Sequence, residues 1–119
     1  MYTYKARLDR VIDGDTIDAN IDLGFDITVH KRIRLAGIDS PESRTRDLEE
    51  KKRGLASKDK LIELLDKGSL VLESKEVGKY GRVLGVLHVY PDGDLPININ
   101  DTLVKEGYAV EYWGGKKKK

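Results

Sequence analysis

Apolar and polar side chains alternate from the start of the chain. Tyr4, Ala6 and Leu8 form one run and Ile17, Ala19, Ile21 and Leu23 a second, all on odd positions. A period of two marks a half-buried β-strand. Between the runs stands VIDGDT, residues 11–16, whose Asp13-Gly14 pair signals a turn or bulge. LGFD, residues 23–26, then predicts a hairpin loop. Beyond it Ile27, Val29, Ile33 and Leu35 lie on one face, with His30, Arg32 and Arg34 on the other.

The pattern changes after residue 43. Residues 44–54, RTRDLEEKKRG, are charged and aperiodic, which predicts an exposed loop. Leu55, Leu61, Ile62 and Leu65 follow helical spacing and Gly68 stands where a helix stops, so the main helix is expected over about 55–67. SLVLES predicts a short strand, residues 75–81 a loop, and RVLGVLHVY, apolar on both faces, a central strand. PDGD turns the chain into LPINI. Asn100 is expected to cap a second, short helix over about 101–106, closed by Gly107, before YAVEY supplies a last extended stretch. Five short strands with a helix between the third and fourth predict an α+β, mainly β fold: a five-stranded OB-type Greek-key barrel. An SH3-like barrel would lack the central helix.

Composition narrows the chemistry. The 119 residues fit one domain, expected over 1–113, with a short lysine-rich tail at 114–119 whose run at 116–119 reads as a solvated tail, an expression remnant or a weak phosphate grip. Cysteine is absent, so disulfides and thiolate metal sites are excluded, and a metal must take oxygen ligands or the two histidines. His30 and His88 have no partner at metal-ligand spacing and read as packing or surface residues. No stretch approaches the roughly 18–20 apolar residues of a membrane span, and no apolar leader follows Met1, so a cytoplasmic protein without a membrane partner is expected. Lysine and arginine number 22 against 21 acidic residues. A polyanionic partner would therefore have to be recognised by local charge placement.

Such placement occurs in RLAGIDSPES, residues 34–43. A turn there needs Pro41 and Asp39; it does not need Arg34 or Glu42. Asp15 shares parity with Ile17 and Ala19, which aims its carboxylate inward unless a bulge intervenes, and an ionised carboxylate there requires a cation or several donors. DGDT in isolation is an ordinary turn. Together, Asp15 and Asp39 would suit a hard cation such as Ca²⁺ at the mouth of a barrel. Glu42 could hold or deprotonate a water, and the guanidinium forks of Arg34 and Arg82 match phosphate oxygens. A water, a metal and positive charge where negative charge develops are what phosphodiester hydrolysis needs.

VIDGDTI, RIRLAGIDSPES and GKYGRVLG, in this order around a helix, resemble the three signature segments of the staphylococcal nuclease (thermonuclease) family, and the similarity extends through ININDTLVKEGYAV. The resemblance implies an OB-type barrel and Ca²⁺-dependent hydrolysis of single-stranded DNA and RNA, and of duplex DNA where it opens, to products with 3′-phosphates. It assigns metal binding to Asp15, Asp39 and the main chain of Ser40, and water orientation or general-base work to Glu42. Phosphate stabilisation falls to Arg34 and Arg82. Lys79 and Tyr80 would touch a nucleotide's terminal phosphate and sugar, and Tyr112 and Trp113 would floor the base pocket. Ser40 stands where threonine is usual, the C-terminal helix of longer members is missing, and a monomer is expected. The alternative is a non-catalytic OB module that binds single-stranded nucleic acid or a protein.

Overall fold

A computed structural model describes residues 2–77 and 82–112. In chain order it contains β1 (Tyr2–Asp13), β2 (Thr16–Gly24), β3 (Ile27–Leu35), β4 (Ile38–Asp39), α1 (Leu48–Leu65), β5 (Ser69–Val77), β6 (Val83–Tyr90), β7 (Ile97–Asn98), α2 (Ile99–Lys105) and β8 (Val110–Glu111). Strands β3, β2, β1, β5 and β6 lie side by side in that order. Each neighbouring pair is antiparallel, and a parallel pairing of β3 with β6, Ile33 opposite Val83 and Arg34 opposite Leu84, closes the ring. The fold is the α+β, mainly β barrel of OB type. Strand β7 adds to the free side of β6, and β4 pairs with β8 in a separate two-stranded ladder, Ile38 opposite Glu111 and Asp39 opposite Val110.

The alternation in the sequence fills this barrel. Ile17, Ala19, Ile33, Leu35, Leu72, Leu87 and Val89 point inward and are almost fully buried, and Leu61 and Leu64 of α1 and Ile99 and Leu103 of α2 seal the core. The hairpin expected at LGFD is present: Gly24 pairs with Ile27, and Phe25 and Asp26 both have positive φ, 54° and 62°. Positive φ at both central residues is the twist-matched geometry of a two-residue hairpin loop. No helix among the described residues is long and apolar enough to cross a membrane.

Three expectations are corrected. The main helix begins at Leu48, so residues 48–54 are helical, not loop. Asp47 caps it, its side chain accepting from the N–H groups of Glu49 and Glu50, and these two acids sit favourably in the first turn. The first turns face solvent, with Leu48 75% exposed, which is why they carry no apolar period. The second helix starts at Ile99 with Asn98 as its cap. Asn100 is instead buried: its Oδ1 accepts from Leu87 N–H, and its Nδ2 donates to the carbonyls of Ala36 and Gly85. Finally, β5 runs on through Val77, into the stretch expected to be loop.

The outward rows of β1, β2 and β3 carry a feature that alternation cannot show. Asp18 stands opposite Arg10 on one side and Arg32 on the other. Arg10 Nε donates to Asp18 Oδ2 at 3.0 Å, and Arg32 donates through Nε to Oδ1 at 2.8 Å and through Nη2 to Oδ2 at 3.2 Å. The two guanidinium groups cover the carboxylate and bury it. Arg32 foremost, with Arg10, pulls the Asp18 pKa down to about 2 against the burial that would raise it. Because the folded value lies below the unfolded one, the stabilisation is present above about pH 4 and lost as pH falls toward about 2. Urea denaturation across this range should find wild type more stable than Asp18→Asn at pH 7, with the gap narrowing below about pH 4. A gap of constant size would contradict it.

Candidate active site

The turn between β1 and β2 and the chain after β3 meet at one end of the barrel. Asp15 lies in that turn rather than in β2, so its direction is not set by strand parity. Its carbonyl accepts from Leu35 N–H at 2.8 Å, tying the turn to the end of β3. Its side chain is buried, 7% exposed for the residue. Oδ1 accepts from the Thr16 hydroxyl at 2.9 Å, and Oδ2 accepts from the backbone N–H of Ser40 at 2.9 Å.

Arg34 faces outward from β3, between Ile33 and Leu35, which point into the core. Its guanidinium spans the two carboxylates: Nη1 lies 3.3 Å from Asp15 Oδ2 and Nη2 lies 3.4 Å from Asp39 Oδ1. Nη1 also donates to the Leu35 carbonyl at 3.2 Å. All three side chains are largely shielded from water. Two carboxylates that close repel each other, and the cation between them makes the arrangement stable.

Asp39 is held from a second direction by the pairing of β4 with β8, and Tyr112 N–H donates to the Gly37 carbonyl at 2.8 Å. Ala36 N–H donates to the Gly85 carbonyl, and Asn100 clamps both Ala36 and Gly85. The segment between β3 and Asp39 is thus fixed to β6, β8 and α2.

Helix α1 supports the same segment from behind. Glu42 N–H donates to Glu50 Oε2 at 3.2 Å, and the Ser43 hydroxyl donates to the Asp13 carboxylate. Two glycines permit the approach. A Cβ at Gly14 would stand 2.6 Å from Ser57 Cβ, and one at Gly54 only 2.3 Å from the Glu42 carbonyl oxygen. The glycine inside α1 is there because the loop backbone lies against it.

The predicted site residues therefore fall into groups. Asp15, Arg34, Asp39 and Ser40 converge. Glu42 is exposed on the adjoining loop. Arg82, half-buried, precedes β6, and the β3–β6 register with strand alternation places it on the outward row that contains Leu84, the partner of Arg34. Among the described residues it makes no hydrogen bond or ion pair. Tyr112 is beside Gly37. Lys79, Tyr80, Trp113 and the lysine tail lie outside the described residues. The histidines are outward-facing partners of acids: His30 with Asp9 at 2.9 Å, and His88 with Glu73 at 3.1 Å, a contact that holds the Glu73 carboxyl below its usual range.

No group of three or more Asp, Glu, His or Cys among the described residues could hold a metal. A cation at this site would rest on the two aspartates, main-chain carbonyl oxygen and water, a donor set suited to a hard, oxygen-seeking ion and not to zinc. One observation favours a further ligand. The Ser40 hydroxyl is buried with no hydrogen-bond partner among the described residues, next to the backbone N–H that binds Asp15. An orphaned buried hydroxyl on the residue whose N–H binds Asp15 fits a site completed by an ion and its water.

The chain has relatives among known proteins. The profile of staphylococcal nuclease homologues matches residues 32–119. The chain is 35% identical over 117 residues to a micrococcal nuclease of Shigella flexneri, an alignment covering 93% of this chain and 61% of that protein. It is 32% identical over 107 residues to protein ParB of Escherichia coli, covering 87% of this chain and 54% of ParB. It is 32% identical over 118 residues to endonuclease YhcR of Bacillus subtilis, of which it spans 9%. The chain belongs to the staphylococcal nuclease homologue family. It spans less than two thirds of the length of each of these relatives.

Gly54→Ala tests the support of the loop. Helix propensity alone would reward alanine by about 1 kcal/mol. Contact with the Glu42 carbonyl should reverse the sign and cost about 1–3 kcal/mol, read as a lowered urea midpoint. A stabilised Gly54→Ala would show that the loop does not press on the helix.

Proposed function

We propose that this chain is a Ca²⁺-dependent nuclease that hydrolyses single-stranded DNA and RNA to products with 3′-phosphates. The observation that carries the reading is the shared guanidinium: Asp15 and Asp39, from distant parts of the sequence, both lie on Arg34 with the Ser40 N–H on the same carboxylate. Family membership and the names of two relatives, a micrococcal nuclease and an endonuclease, support the same class of reaction.

In this reading Asp15, Asp39 and the Ser40 carbonyl would hold a calcium ion, which when bound would supply positive charge to the phosphate. Arg34 and Arg82 bind the non-bridging oxygens and stabilise the charge that builds on them, a contribution that usually outweighs proton transfer. Glu42, exposed on the loop after Asp39, orients a water and accepts its proton. The water oxygen bonds to phosphorus, the bond to the 5′ oxygen breaks, and the products are a 3′-phosphate and a 5′-hydroxyl.

The test is cleavage of a labelled single strand with Ca²⁺ and with EGTA. Activity should require the ion. Arg82→Lys should lower kcat by about 10²–10³-fold and Glu42→Gln by about 10²–10⁴-fold, with thermal unfolding unchanged. Metal-independent binding without cleavage, indifferent to Glu42→Gln, would instead establish a binding module.

A further inference from the structure

Asp18 is a buried carboxylate that the site above does not use, and both of its partners are arginines from other strands. Arg32 already grips Asp18 with two nitrogens, and Arg10 adds only its Nε. The side chains of Arg10 and Arg32 are 65% and 43% exposed, and their remaining N–H groups have no partner among the described residues. Each guanidinium is thus fixed on its inner edge and open on its outer edge. The group as a whole carries one net positive charge.

Its position gives this a direction. Arg32 and Arg34 are two apart on β3, so they stand on the same outward face about 7 Å apart along the strand. Arg10, across β2 in the same row, widens the contact. In the next row His30 pairs with Asp9, and Arg7, opposite Asn20, continues the positive charge on β1.

We propose that Arg10 and Arg32, splayed outward by Asp18, form a second phosphate subsite that grips the sugar–phosphate backbone of a single-stranded nucleic acid one step along β3 from Arg34. The proposal rests on the nucleic-acid substrate argued above, extending it along the outer face of β1–β3. A guanidinium already held by a carboxylate loses little freedom on meeting a phosphate, so the contact is stronger than that of a free surface arginine. Asp18 is a positioning residue: it touches no substrate.

Two measurements test this. In EGTA, where a Ca²⁺-dependent enzyme is silent, anisotropy of a fluorescein-labelled 12-mer single strand reads binding alone. Arg10→Gln and Arg32→Gln each leave Asp18 one arginine; each should weaken binding about three- to tenfold and flatten the log–log salt dependence by up to about 0.7. Asp18→Asn removes a negative charge, so simple electrostatics predicts tighter binding to the polyanion. The positioning role predicts weaker binding. In Ca²⁺, the arginine variants should raise KM for the 12-mer while leaving kcat/KM for a dinucleotide within about twofold.

Unchanged affinity and salt slope in both arginine variants, or tighter binding by Asp18→Asn, would overturn the proposal. Loss of dinucleotide cleavage in the arginine variants would also count against a separate subsite. Absence of cleavage by wild type together with the expected binding losses would refute the nuclease reading and leave the subsite standing.

Discussion

The site depends on one cation placed between two anions. Asp15 reaches the end of the barrel from the β1–β2 turn and Asp39 from β4, and the Arg34 guanidinium stands between them, offsetting the repulsion of like charges. Much of the surrounding structure serves this contact. The Leu35 N–H to Asp15 carbonyl bond fixes the first carboxylate relative to β3, and the β4–β8 ladder fixes the second. Arg34 is held in turn by its place on β3, opposite Leu84 where the barrel closes. Barrel closure and carboxylate convergence are the same event seen from two sides.

Sequence and structure agree where the information is local. Alternation in β1, β2 and β3 follows directly from half-buried strands, and the LGFD hairpin follows from turn chemistry. The crowding of charge at residues 34–43 marked side chains that the structure brings together, Arg34 and Asp39 among them, because a turn has no use for Arg34. What escaped was cross-strand or solvent-facing. The first two turns of α1 pack little apolar surface, so no period announces them; Asp47 with Glu49 and Glu50 was the available signal.

Asn100 and Asp18 escaped for a different reason. Asn100 looked like a helix cap because asparagine often is one, yet it satisfies backbone groups of Leu87, Ala36 and Gly85 where the β3–β6 ladder diverges. Asp18 looked like an ordinary outward polar residue. Its burial comes from Arg10 and Arg32, and only the register of three strands brings them over it. No single stretch of sequence contains that register.

The β4–β8 ladder makes Asp39 depend on Val110 and Glu111, among the last described residues. Protein synthesis proceeds from the amino terminus, so a ribosome delivers Asp15, Arg34 and Asp39 long before it delivers the strand that holds Asp39 in place. The parallel partner of β3 is also late, since β6 follows the helix and β5. A nascent chain therefore lacks the strand that pairs with Asp39 until β8 has been made.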